Sequence, residues 1–213
     1  MLKKNSIVIT VMGLLAFMAL VLGLYVSQQL HFTKHIDTEA FNGTLLDSPR
    51  KVSAFSLNDI HNQPFNNASL QGHWTMVFFG FTGCGTICPT TMANLSKMYR
   101  LLETKRVQPL PEVVMISVDP ERDSLDKLAH YVTSFNAHFL GAYGDELMLK
   151  KMAQELGIAY TKVVKPSTEN TQNYDIEHTG TIILFNPHGE LSAFFTMPHD
   201  ASHLAEDYLL LVA

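Results

Sequence analysis

Between Phe78 and Pro89 the chain runs Phe78-Phe79-Gly80-Phe81-Thr82-Gly83-Cys84-Gly85-Thr86-Ile87-Cys88-Pro89, and this stretch holds both of its cysteines. An apolar strand leads into a glycine-marked turn, and a proline that can open a helix follows. This order places both thiols on a strand-to-helix loop, with Cys88 at or beside the helix N-terminus. There the helix dipole and the free N–H groups favour a thiolate. Two thiols so placed can trade electrons by closing and opening a disulfide, or can hold a soft metal ion as a thiolate pair. A CxxxC loop encloses too little chain to serve as a staple, so the pair reads as a site. CxxC is the usual spacing for thiol-disulfide exchange, and the extra residue argues modestly against that chemistry.

The surrounding pattern sets the fold class. Trp74 to Phe79 and Val113 to Val118 are continuous apolar runs of the length of buried strands. Between them Met92, Leu95, Met98, Tyr99 and Leu102 recur at helical spacing from Pro89 to about Lys105. Ser124 to Phe135 reads as a helix with Ser124 at its N-cap, and Asp145 to Leu156 as another that stops at Gly157. A short strand near Phe139 and an extended stretch from Ile158 to Val164 flank that second helix, and Pro166 to Asn173 reads as a loop. Val52 to Asn67 suggests an opening hairpin, and Thr181 to Phe195 a second hairpin turning at Asn186-Pro187-His188-Gly189. Asp200 to Leu211 closes the chain as a helix. Parallel βαβ units with an antiparallel edge make an α/β central mixed sheet. With a cysteine motif after the first central strand, the expected architecture is a thioredoxin-like fold.

Ile7 to Val26 carries no charge, and Thr10 is its only strongly polar residue. That span meets the requirement of about 20 apolar residues for a helix that crosses hydrocarbon. Lys3 and Lys4 precede it, so the positive-inside rule keeps the N-terminus inside and exports the chain beyond Val26. A cleaved signal would need a small-x-small site, which Leu24-Tyr25-Val26-Ser27-Gln28-Gln29 does not offer. The expectation is therefore a single-pass transmembrane helix within residues 1–26 in a bacterial inner membrane, followed by a tether over 27–50. A domain over 51–213 would then lie in the periplasm or an equivalent exported compartment. The formal charge of −5, with no Lys/Arg cluster beyond the anchor, excludes nucleic acid as a partner.

Three segments together resemble the Sco (SenC-like) copper chaperones of cytochrome c oxidase assembly. They are Phe78 to Thr91 with its CxxxCP core, Ile116-Ser117-Val118-Asp119-Pro120-Glu121-Arg122-Asp123, and Ile176-Glu177-His178-Thr179. The resemblance runs from about Phe55 to Tyr208. It implies a thioredoxin-like domain that carries a copper ion to the copper A site, with the apo copper A domain of oxidase subunit II as partner. It also implies that Cys84, Cys88 and His178 occupy the copper-ligand positions. His178 precedes the apolar run Thr181 to Phe185, and the loop before that strand abuts the cysteine loop in a thioredoxin-like fold. Glu177 or a backbone carbonyl could orient its ring. Where the family commonly has His before the first Cys and Pro-Asp after it, this chain has Gly83, Gly85 and Thr86, and Glu177 replaces an Asp. The loop thus lacks a nearby carboxylate and is richer in glycine.

Holding copper requires both thiols reduced, so in an oxidising compartment a thiol reductase is a further expected partner. The rival reading is a thiol-disulfide oxidoreductase acting on exported cysteines through Cys84 and Cys88, and a weaker one is a peroxide-reducing thiol enzyme of the same fold. In the chaperone reading the chain is not a turnover enzyme. Asp119 follows a buried strand at the end where α/β sheets place their sites, and either accepts a hydrogen bond near the cysteines or shapes a turn. Glu121, Arg122 and Asp123 read as a solvated cap and ion-pair cluster. The ten methionines are scattered and read as core filling. His199 and His203 share a helix face without a third ligand in view.

Overall fold

In the computed structural model of the chain, residues 12–23, 40–164 and 174–212 are described. The chain divides into two units, Met1–Asp37 and Thr38–Ala213. In the first, residues 12–23 form a helix, α1, whose apolar side chains, Phe17 and Leu22 among them, are exposed. Among the described residues no helix is long and apolar enough to cross a membrane. The expected span, Ile7 to Val26, is described only over α1, and its two ends lie outside the described residues.

The second unit is built on an eight-stranded mixed sheet. In chain order its strands are β1 (Thr44–Arg50), β2 (Ser56–Asp59), β3 (Pro64–Asn66), β4 (Thr75–Gly80), β5 (Glu112–Ser117), β6 (Leu140–Tyr143), β9 (Ile182–Phe185) and β10 (Leu191–Phe195). Across the sheet they run β1-β10-β9-β4-β5-β6-β2-β3. The central β4, β5 and β6 are mutually parallel, and every other pairing is antiparallel. Every residue of β4 and of β9 is buried, as their continuous apolar sequences require of strands covered on both faces.

Helices α2 (Ile87–Thr104), α3 (Leu125–Phe135), α4 (Glu146–Glu155) and α5 (Ala201–Val212) complete the unit. The helical stripe Met92, Leu95, Met98, Tyr99 and Leu102 is the buried face of α2, which packs against α5. Pro89 falls in the first turn of α2, where no intrahelical N–H is lost. Ser124 and Asp145 cap α3 and α4 by accepting from the Lys127 and Met148 amides. Gly157, at φ 71°, takes the left-handed turn after α4.

Two strands escape the sequence pattern. β1 lies in the stretch expected to be a tether, yet it pairs with β10 at the sheet edge. Its residues are mostly exposed, so no apolar alternation marks it. Its start is fixed by the buried Asp207 of α5, whose carboxylate accepts from the Asn42 amide, the Asn42 side chain and the Gly43 amide, each at 2.8 Å. β8 (Tyr174–His178) pairs with β7 (Tyr160–Val164) as a separate two-stranded ribbon. His178 is the last residue of β8, a strand position where a loop was expected. The loop expected from Pro166 to Asn173 lies outside the described residues.

Asp207→Ala should destabilise the fold by about 3 kcal/mol, because it strands three donors around a buried site. The loss is read as a lower urea midpoint with an unchanged slope.

Candidate metal centre

β4 ends in Gly80, and the cysteine loop springs from it. A Cβ at Gly80 would lie 3.0 Å from Cys88 Sγ and 2.8 Å from the Phe78 ring, so the bare backbone makes room for the sulfur. The loop is pinned by Asp123, whose buried carboxylate accepts from the Thr82 amide (3.0 Å), the Thr82 hydroxyl (2.5 Å) and the Ser117 hydroxyl (2.7 Å). Lys127 Nζ stands 3.7 Å from the same carboxylate. The expectation that Asp123 belongs to a solvated cap is corrected here. It is buried because Thr82 and Ser117, at the ends of two apolar strands, need a shared acceptor.

Cys88 is the second residue of α2 and is fully buried, whereas Cys84 is half-buried. Both are free thiols. The Cys88 amide points at Cys84 Sγ at 3.4 Å, so the helix N-terminus presents its N–H to the other sulfur. The expected thiolate at Cys88 does not follow from its position. Burial pushes its thiol well above the ordinary cysteine range, outweighing a hydrogen bond with the Phe81 backbone, and the neighbouring Cys84 and Asp123 push the same way.

His178 Nε2 lies 3.3 Å from Cys88 Sγ and 3.9 Å from Cys84 Sγ. The three donor atoms fall within 4.8 Å of one another, and no other such group of His, Cys, Asp or Glu occurs among the described residues. His178 Nδ1 sits 3.1 Å from the Thr179 carbonyl, which can only accept, so Nδ1 carries the proton and Nε2 turns its lone pair to the sulfurs. Burial lowers the imidazole pKa below its ordinary value, against smaller opposing contributions from that carbonyl and Asp175, and the ring is neutral at pH 7. The rings of Phe78 and Phe81 meet it edge-on at 5.9 and 5.8 Å. Of the two orienting groups expected, the carbonyl performs the role, and Glu177 is exposed.

Asp119 does shape the turn, accepting from the Arg122 and Asp123 amides at 3.1 and 2.9 Å. Its buried carboxylate serves Tyr174 and Arg122, and no hydrogen bond joins it to the cysteines. Glu121 pairs with Lys162 at 2.9 Å on the surface. His199 Nε2 donates to the Gly180 carbonyl at 2.6 Å, which leaves its helical neighbour His203 outside any cluster. Sequence reasoning missed Tyr174 altogether. The one available signal was the alternation Tyr174-Asp175-Ile176-Glu177-His178, which marks a strand with Tyr174 and Ile176 facing inward.

Two thiols and a neutral imidazole form a soft donor set of low coordination number, which suits monovalent copper. The SCO1/SenC family profile matches residues 44–212. The chain is 33% identical over 152 residues to the mitochondrial SCO2 homolog of Mus musculus, covering 71% of this chain and 58% of that one. It is similar to the solved structure of apo Sco1 from Thermus thermophilus, with 31% identity and a TM-score of 0.69 over 80% of this chain and 96% of that one. Arabidopsis thaliana ScoI, solved with copper bound, matches with 29% identity and a TM-score of 0.65 over 74% and 94% of the two chains. These likenesses establish the expected α/β thioredoxin-like Sco fold with its central mixed sheet.

The two cysteines should react unequally in the reduced protein. Cys84 should alkylate at least about tenfold faster than the desolvated, buried Cys88, as mass spectrometry of Cys84→Ser and Cys88→Ser variants would measure.

Proposed function

This chain belongs to the SCO1/SenC family, and on that premise we propose that it is a copper metallochaperone. Cys84, Cys88 and His178 hold the cargo, and an apo copper A domain of oxidase subunit II receives it. The observation that carries the reading is the convergence of the three donor atoms within 4.8 Å, with Nε2 already free of its proton. Loading displaces the proton of Cys88, whereas His178 binds without losing one. Cys84 is the less buried member of the pair, so an incoming thiolate meets it first and Cys88 gives up the metal last.

The apolar span Ile7 to Val26 behind Lys3 and Lys4 supports an N-terminal anchor, with the domain exported and a thiol reductase keeping the pair open. The exposed apolar side chains of residues 12–23 are of the kind that lipid covers. A second reading, in which the pair reduces cysteines of an exported partner, is favoured by the half-exposed Cys84 beside buried Cys88. That is the layout of an attacking and a resolving thiol.

Competition with a Cu(I) chelator separates the two readings. His178→Ala should weaken copper retention about tenfold or more, while the Cys84–Cys88 disulfide still forms and reduces, and the disulfide form of the unmodified chain should retain none. Unchanged retention with a displaced redox midpoint would favour the oxidoreductase.

For the anchor, a reporter fused after Val26 should face the exported side and sediment with membranes. A soluble mature form beginning near Ser27 would identify a cleaved signal instead.

A further inference from the structure

His178 reaches the sulfurs from a ribbon that has no ladder hydrogen bonds to the eight-stranded sheet. A ligand on such a ribbon is only as well placed as the contacts that dock it. One closed cluster does so at the other end of β8, four residues from the imidazole. The Tyr174 hydroxyl donates to Asp119 Oδ1 at 2.5 Å, with Glu121 Oε2 a second, longer acceptor at 3.1 Å. Arg122 donates from Nε to Asp119 Oδ2 at 2.5 Å and from Nη1 to the Tyr174 carbonyl at 2.7 Å. The Arg122 guanidinium also lies over the Tyr174 ring, 3.8 Å from its centroid. Asp119 is 1% exposed, so these are hydrogen bonds to a desolvated charge, which are strong and strict in geometry.

The same guanidinium stands 5.8 Å from the Phe81 ring centroid, and Phe81 packs edge-on against His178. One turn thus grips both halves of the site. Asp123 holds the cysteine loop through Thr82, and Asp119 with Arg122 holds the ribbon through Tyr174.

We propose that Tyr174, held by Asp119 and Arg122, is a positioning residue that sets the register of His178 against Cys84 and Cys88. The proposal rests on the copper-site reading above and deepens it. Tyr174 touches none of the three donor atoms; it acts through the strand it begins.

The test is Tyr174→Phe in the full-length chain, which removes the hydroxyl and keeps the ring and the carbonyl. Copper retention against a Cu(I) chelator should fall about tenfold, as for altered outer-shell partners. The Cys84–Cys88 redox midpoint should stay where it is. In the His178→Ala background the same substitution should cause no further loss, because its effect runs through the imidazole. Arg122→Lys, which keeps the charge and loses the fork, should behave alike and serves if Tyr174→Phe does not fold. Equal losses with and without His178 would mean general loosening and would overturn the proposal.

A metal-free readout keeps the two readings separate. Nitrogen-15 spectra of the wild-type imidazole should report the single tautomer protonated at Nδ1, and Tyr174→Phe should mix or broaden it. Unchanged His178 signals in that variant would overturn the latch whatever copper does. A wild-type chain that holds copper no better than His178→Ala would defeat the copper reading while leaving the spectral test of the latch intact.

Discussion

Two carboxylates, Asp119 and Asp123, are buried within a single turn after β5. Taking a charge out of water is costly unless donors replace the lost hydration, so each must be surrounded by groups that can donate. The donors available are Thr82 and Ser117 for Asp123, and Tyr174 and Arg122 for Asp119. Satisfying these charges therefore brings the cysteine loop and the β7–β8 ribbon to the same place. The metal-binding geometry follows from an electrostatic requirement one layer beneath it.

The centre is asymmetric in depth. Cys88 is buried while Cys84 and His178 are both half-buried, and burial holds the Cys88 thiol protonated and the His178 imidazole neutral in the metal-free protein. Two of the donors are thus kept uncharged until a soft ion arrives, and Cys88 alone is sheltered from solvent. Cys84 and His178 each keep part of their surface open to solvent. On the proposed function, the difference in depth between the two sulfurs lets one small site both retain its cargo and release it by ligand exchange.

Much of this was legible in the sequence because the central elements are wholly buried or strongly periodic. Trp74 to Phe79, Val113 to Val118 and the α2 stripe announce themselves by apolar content alone. β1 does not, since an edge strand with most side chains in water has no alternation to read. The cysteine pair is visible as a site from its spacing and flanks. His178 is one of ten histidines and gains weight only from family resemblance and its place before β9. Asp123 reads as solvated because the hydrogen-bond donors to its carboxylate, apart from Ser117, come from Thr82, 41 residues earlier. A run such as Asp-Pro-Glu-Arg-Asp looks solvated until the fold supplies those partners.

The loop around Cys84 carries glycine on each side of the half-buried sulfur, at Gly83 and Gly85. Among the described residues nothing lies within 4 Å of where a Cβ of Gly85 would stand, and at Gly83 only the Phe81 ring comes that near. At these two positions the rim of the centre is therefore bare main chain. On the proposed function, a visiting protein lays its own backbone against these two glycines without first displacing a side chain. Clearance at these two glycines, on the proposed function, leaves room for a second thiol-bearing loop to come face to face with this one.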